Sequence, residues 1–403
     1  MTERHAHASI TKTLPGLSRP RRTLAIAGIV HALQDGYTDL IYVLLPVWQA
    51  DFAVGFGVLA LLRGLYTGAM AALQIPAGRL AERFGGRMVL ALGTALTALG
   101  YAFVGFSGGL LGLCVALALS GVGASTQHPI ASAAVSRAYG VGARGPLGVY
   151  NFTGDLGKAA IPAFTSLLLT VMSWRESLWL LALIGIATAA MIILLMPPIG
   201  GARAGQAQHD ECDGKGRRGR GGFLLLFTIG VLDSGVRMGF LTFLPFLLQT
   251  KGASLPTIGL ALALVFAGGA AGKFACGWLG ARFGVLRTVL LTEGGTAAYI
   301  FAVLALPLAP TFVLLPLLGI VLNGTSSVLY GTVPELAPPD RAERAFARFY
   351  TGTIGSGAVS PVLYGFLGDA VGVHWATVAT GATALAIFPF AFALAPRLGR
   401  GSD

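Results

Sequence analysis

Charge is what this chain has least of. Only 11% of its 403 residues are Asp, Glu, Lys or Arg, against about 25% in an ordinary soluble domain. With 55% hydrophobic residues and a mean hydropathy of +0.74, that scarcity excludes a water-soluble globular protein. Acid is scarcer than base, 17 residues against 28. The resulting net charge of +11 would suit a nucleic-acid binder only if gathered on one folded face. It is scattered between apolar runs instead, so no nucleic-acid partner is expected. Cysteine is nearly missing: Cys114 and Cys276 lie in apolar runs and Cys212 in a polar one, which gives neither a disulfide framework nor metal-ligand spacing. The first 23 residues are polar and basic, so no cleavable leader is expected. No nucleophile–base set, two-carboxylate metal site or nucleotide-binding glycine loop is evident, which argues against an enzyme. The polar segments are also too short for a receptor's soluble domain.

Long apolar runs are what the chain has in abundance. Stretches of spanning length, about 20 residues, fall near 24–48, 57–80, 87–106, 109–136, 144–169, 174–196, 222–250, 256–280, 286–306, 310–334, 343–368 and 373–396. The expected fold is an all-α membrane protein of twelve transmembrane helices in two pseudo-symmetric six-helix bundles. The bundles would occupy 24–196 and 222–396, between a tail at 1–23, a linker at 197–221 rich in Gly and Arg, and a tail at 397–403. Lys and Arg collect on one side: in both tails and the linker, at Arg79, Arg83 and Arg87, at Arg137 and Arg144, and at Arg282 and Arg287. The other side has only Arg175 and Lys251. The positive-inside bias therefore makes both termini cytoplasmic and the location the inner (cytoplasmic) membrane.

The halves repeat. GRLAERFGGR from Gly78 returns as GWLGARFGVLR from Gly277, an offset of 199 that also carries Pro46 onto Pro245. Asp35 falls one residue out of register with Asp233. Two six-span halves of like direction are the parallel repeat of one large class of secondary transporters, whose substrate site lies between them near the midplane.

Polar residues within the spans mark that site. His31, Gln34, Asp35, Thr38, Asp39 and Tyr42 form one stripe on the first span, at spacings that share a helical face. Carboxylates and histidine in hydrocarbon are costly unless they face protein or water, so the stripe must line an interior. Asp35, Asp155 and Asp233 are the candidate proton-coupling acids, Asp35 foremost. The candidate substrate-binding residues are His31, Gln34, Asp39, Gln127, His128, Asn151, Lys158, Arg237, Lys273, Asn323 and Tyr330. Asp155 and Lys158 can pair along one helix face, as can Asp233 and Arg237. Asp39 can either line the access path or pair with Arg63. Glu293 and Glu335 read as packing or gate residues. On a short turn between the second and third spans, Gly78, Glu82, Arg83, Gly85 and Arg87 form a candidate conformational latch, with Arg282 in the second copy. Ala281 stands there in place of Glu82, so that copy is the weaker.

The pattern Gly-x-Leu-Ala-Glu-Arg-x-Gly-x-Arg resembles the loop signature of the major facilitator superfamily. Within it, HALQDGYTDLIYVLLPVW from His31, GVGASTQHP ending at Pro129 and LYGTVPELAP near Tyr330 resemble the fosmidomycin-resistance family. Gln34 stands where that family often has Asn, and Asp155 and Lys158 lie outside its pattern. The resemblance implies drug export driven by a proton gradient, with no cofactor. The expected function is thus a secondary transporter, a proton-coupled exporter of small anionic or zwitterionic compounds such as antimicrobials. A proton-coupled uptake carrier for a nutrient or metal complex is the alternative, with His31, His128, Met70 and Met238 as soft donors but no ligand spacing on one helix. A receptor or membrane enzyme is the remaining class. The expected partners are a small-molecule substrate and the lipid bilayer, and a monomer suffices because each pair of halves encloses its own pathway.

Overall fold

The computed structural model describes residues 18–199, 220–336 and 342–398. The greater parts of both expected tails and of the linker, Cys212 among them, lie outside those residues. All regular structure described is helical. A backbone in hydrocarbon must satisfy its polar groups within the segment, and a helix does so. The helices are α1 (Arg19–Phe52), α2 (Phe56–Phe84), α3 (Gly86–Phe106), α4 (Leu110–Ala124), α5 (Gln127–Tyr139), α6 (Arg144–Leu168) and α7 (Trp174–Leu195), then α8 (Arg220–Thr250), α9 (Leu255–Ala305), α10 (Leu308–Leu336), α11 (Ala342–Val371), α12 (Val373–Leu385) and α13 (Ile387–Leu394).

Prolines and glycines set the interruptions. α4 and α5 are one rod broken at Ser125 and Thr126, where the ring of Pro129 meets the carbonyl four residues earlier. α12 and α13 part at Ala386, just ahead of Pro389. α9 is two arms that meet at Gly284, whose φ is +80°. Its repeat mate Gly85, between α2 and α3, has φ +89°, so the duplicated turn uses the left-handed conformation that glycine supplies. Among the described residues, eight stretches are long and apolar enough to span by length and composition. The long helices α1, α6 and α11 are not among them, because each is diluted by polar residues.

The Gly78–Arg87 motif corrects one expectation. It is not a loop: α2 stays helical through Phe84 and α3 starts at Gly86. Nothing before Gly85 breaks the helix, so the turn shrinks to that single residue.

Within the first half α1 packs on α6 and α5, and α3 packs on α4 and α7. Within the second, α9 packs on α10, α8 on α11, and α12 on both α8 and α9. Across the halves, α2 meets α11 and α6 meets α9. The 199-residue offset turns α2 into the first arm of α9 and α6 into α11, so these are one contact made twice. Small residues permit close approach, as lipid-embedded packing requires: a Cβ on Gly157 would overlap the backbone of Ala32, and one on Gly268 that of Pro316.

Buried apolar side chains form three cores. The largest draws on both halves, with Leu40, Leu44 and Trp48 from α1, Phe240 and Leu248 from α8, and Leu315 and Leu322 from α10. It lies at the end remote from the basic turns. At the basic end the cores are separate, one of first-half residues such as Ile26, Val89 and Ile130, the other of second-half residues such as Leu226, Val289 and Phe349. The halves are thus fused at one end and parted at the other, and the cleft between them opens toward the basic end.

Candidate functional site

α1, α5 and α6 converge on one carboxylate. Asp35 Oδ2 lies 3.3 Å from His31 Nε2, one turn back on α1, and 3.4 Å from Lys158 Nζ on α6. Asp35 Oδ1 lies 3.6 Å from His128 Nε2 on α5. Asp35 is 6% exposed, whereas the side chains of Lys158 and His128 are 31% and 35% exposed. The carboxylate is therefore enclosed, whereas two of its partners keep open surface.

The tautomer of His31 follows from its other contact. Its Nδ1 is 2.8 Å from the Tyr150 carbonyl, and a carbonyl only accepts, so Nδ1 carries hydrogen. Nε2 then faces the Asp35 carboxylate, and that approach is favourable only with a cation between them, in the simplest case a proton. The His31 ring stacks on Tyr150 at 4.1 Å and meets His128 edge-on at 5.3 Å. Donor atoms of His31, Asp35 and His128 lie within 4.8 Å of one another, a geometry a metal ion could use, although the Lys158 ammonium stands against the same carboxylate.

One turn along α1, Arg63 Nη2 is 3.8 Å from Asp39, and both residues are buried. Of the two expectations for Asp39, the structure shows the ion pair. Arg63 also lies over the Tyr42 ring at 4.4 Å. Arg63 Nη2 and Tyr42 Oη each reach Met238 Sδ across the halves at 3.5 Å.

Two pairings differ from those read along single helices. Lys158 takes Asp35 as its partner, and Asp155 is held by Lys273 of α9 at 2.6 and 2.8 Å. A helix-surface pair is worth only tenths of a kcal/mol, so partners from facing helices win. Asp233 and Arg237 do pair on α8, loosely, at 4.0 Å. The near-register match of Asp35 with Asp233 does not carry over into matching contacts. The residue 199 beyond Asp35 is Ser234, which donates to the Thr353 carbonyl at 2.6 Å.

The remaining candidates serve packing or stand apart. Gln34 Nε2 donates to Thr97 at 3.3 Å, tying α1 to α3. Gln127 Nε2 donates to Tyr150 Oη at 2.8 Å and so supports the hub from behind. Asn151 is exposed. Asn323 donates to Gly319 on its own helix at 3.2 Å and fills the gap above Gly269. Tyr330 meets Thr353 at 3.0 Å, joining α10 to α11. In the latch, Arg87 Nη1 donates to the Met196 carbonyl at 3.3 Å, a cation at the C-terminal end of α7. Glu82, Arg83 and Arg282 are exposed and form no ion pair among the described residues.

Sequence reasoning missed Tyr150, whose carbonyl, ring and hydroxyl all serve the hub, because nothing in a tyrosine amid apolar residues marks it. It missed Asp369 as well. That carboxylate accepts from the Phe56 and Gly57 amides at 2.6 and 3.0 Å, so the end of α11 caps the start of α2 across the fused end. A lone acid eight residues past Pro361 was the available signal.

The profile of the Major Facilitator Superfamily matches residues 24–228 and again 226–402. The chain belongs to the major facilitator superfamily. This member shares its fold with a bacterial homolog of the human lysosomal transporter Spinster in an inward-facing, occupied conformation, at a TM-score of 0.78 and 16% identity, over 95% of this chain and 98% of that one. The same protein inward-facing and unoccupied gives 0.77 at 16% identity, over 95% and 98%. A point mutant of the nucleoside transporter NupG gives 0.79 at 12% identity, over 93% and 99%. No curated protein matches the chain. Membership makes this multi-pass membrane protein a secondary transporter of small molecules and not an enzyme.

Proposed function

We propose that this transporter is a proton-coupled exporter of small anionic or zwitterionic organic compounds, antimicrobials among them, as its resemblance to the fosmidomycin-resistance family suggests. The carrying observation is the Asp35 hub. His31 presents an unprotonated Nε2 to Asp35 unless a proton lies between them, and Lys158 touches the same carboxylate while keeping open surface of its own. An anionic group on the solute would draw Lys158 away, and a proton on the His31–Asp35 pair would replace it. Solute and proton are thereby linked through one carboxylate.

The basic end is read as cytoplasmic from its Lys and Arg bias, in the inner membrane, with the bundles bounded at 24–196 and 222–396. On that reading, a cleft parted at the basic end is inward-facing. The chain acts as a monomer. Flux of candidate solutes in proteoliposomes under an imposed pH gradient tests the reading. Asp35→Asn should abolish the gradient dependence, and unchanged coupling would remove Asp35 from the mechanism. Thermal stabilisation by a panel of organic anions, zwitterions and cations should lose its anion members in Lys158→Ala; an unchanged profile would overturn the charge argument.

A second reading, uptake of a metal complex, is favoured by the 4.8 Å cluster of His31, Asp35 and His128. Metal accumulation that depends on His128 would establish it, and accumulation indifferent to His128→Gln would dismiss it.

A further inference from the structure

The second half holds an acid that the hub does not use. Glu293, on the second arm of α9, is 1% exposed, and Asp233 on α8 is 5% exposed. Their carboxyl groups meet within hydrogen-bonding reach. A carboxylate only accepts, so two carboxyls in contact must share a proton.

Hydroxyls line the same crossing. Thr292 Oγ1 donates to the Thr288 carbonyl at 2.9 Å, and Thr325 Oγ1 donates to Thr292 Oγ1 at 2.8 Å. Thr325 also stands beside Glu293, where its hydroxyl can donate to the carboxyl. Glu293 Oε1, fully enclosed, has no hydrogen-bond partner of its own among the described residues.

Charge counting agrees. In the first half and across the cleft, Asp35, Asp39 and Asp155 are matched by Lys158, Arg63 and Lys273. Where α8 meets the second arm of α9, two acids face Arg237 alone among the described cations. Its guanidinium stands off Asp233 at 4.0 Å, and its Nε is buried without a partner there. The repeat supplies the control. Asp233 and Glu293 stand 199 residues beyond Gln34 and Thr94, where α1 meets α3 through a neutral bond from Gln34 to Thr97. Packing at this helix crossing requires no acid, yet the second half has two.

We infer that Asp233 and Glu293 form a proton-binding site separate from the Asp35 hub, and that its loading governs Arg237. With the proton bound, the pair carries one negative charge and Arg237 is loosely held. When the proton leaves to water through the cleft, two carboxylates remain and draw the guanidinium in. The other groups that feel Arg237 are Asp39 and Tyr42 of α1, Lys158 of α6 and Tyr330 of α10. α11 offers Ser356 and Thr353 beside α8, neither of which titrates near neutrality. Arg237 thus connects the site electrostatically to the cleft.

The test needs no substrate. Infrared difference spectra of the lipid-reconstituted protein, neutral against alkaline, should show the carbonyl stretch of a buried protonated carboxyl. It should vanish in Glu293→Gln and independently in Asp233→Asn, since each leaves one acid to one arginine, and persist in Asp35→Asn. Proton release over the same range should fall by one per chain in either variant. A wild-type spectrum without the band, or a band that survives both substitutions, would overturn the site. Loss of the band in Asp35→Asn would overturn its separateness. The band is read without transport, so failure of the exporter reading and failure of this site are distinguishable.

Discussion

In the first half, His31, Asp35, His128 and Lys158 meet on one carboxylate. The residues 199 positions on are Gly230, Ser234, Ser327 and Gly357. There a Cβ on Gly230 would overlap Phe349, and one on Gly357 would crowd Met238 and Ser234, so the small residues let α8 and α11 close together. The outer pair Asp39 and Arg63 likewise becomes Met238 and Leu262. Duplication preserved the frame, whereas the hub chemistry stands on one side of the cleft only. On the proposed mechanism, in which solute and proton compete at Asp35, a second identical hub would hold both at once.

Substitutions on either side of the cleft put this asymmetry at risk. Arg63→Met leaves Asp39 buried without its cation and should cost about 3–5 kcal/mol of stability. Adding Asp39→Asn should return most of it, which denaturation in detergent would show. Failure of the double variant to recover would mean that Arg63 matters for packing on Tyr42 alone. Asp35→Asn should lower gradient-driven flux about a hundredfold, the equivalent of about 3 kcal/mol. Ser234→Ala, at the mate position, should leave flux within about twofold, because it removes one neutral hydrogen bond. Equal losses at the two positions would end the asymmetry argument.

Lys273→Ala should cost about tenfold in flux, because its bond to Asp155 bridges the halves but is partly solvated. Exchanging the pair, Asp155→Lys with Lys273→Asp, should restore part of that loss. The smallest effect belongs to the fused end. Asp369→Asn weakens the cap on α2 by under about 1 kcal/mol, and spin-label distances across that end should show a modest gain in open conformers. Distances unchanged from wild type would assign closure to the apolar core alone.

Much of the frame was legible because its signals are local. Twelve apolar runs, the repeated Gly78 and Gly277 motifs and the lopsided arginines are read along the chain without knowing what touches what. The stripe on α1 was legible for the same reason, since helical spacing places His31 and Asp35 together. The turn at Gly85 was misjudged because several glycines and charges read as a loop, while the backbone needs only one left-handed residue there. Glu293 reads as a packing or gate residue because an isolated acid in an apolar run carries no mark of the acid opposite.

The order of residues alone dictated that this chain crosses the membrane many times, that it is duplicated, and that α1 is its polar axis. Hydrophobic cost and helical period act through near neighbours. Which cation neutralises which carboxylate was settled only where the helices meet in space: Lys158 for Asp35 and Lys273 for Asp155. Ion pairs in a low-dielectric interior are set by distances of a few ångströms between helices far apart in sequence, and no spacing along the chain encodes them.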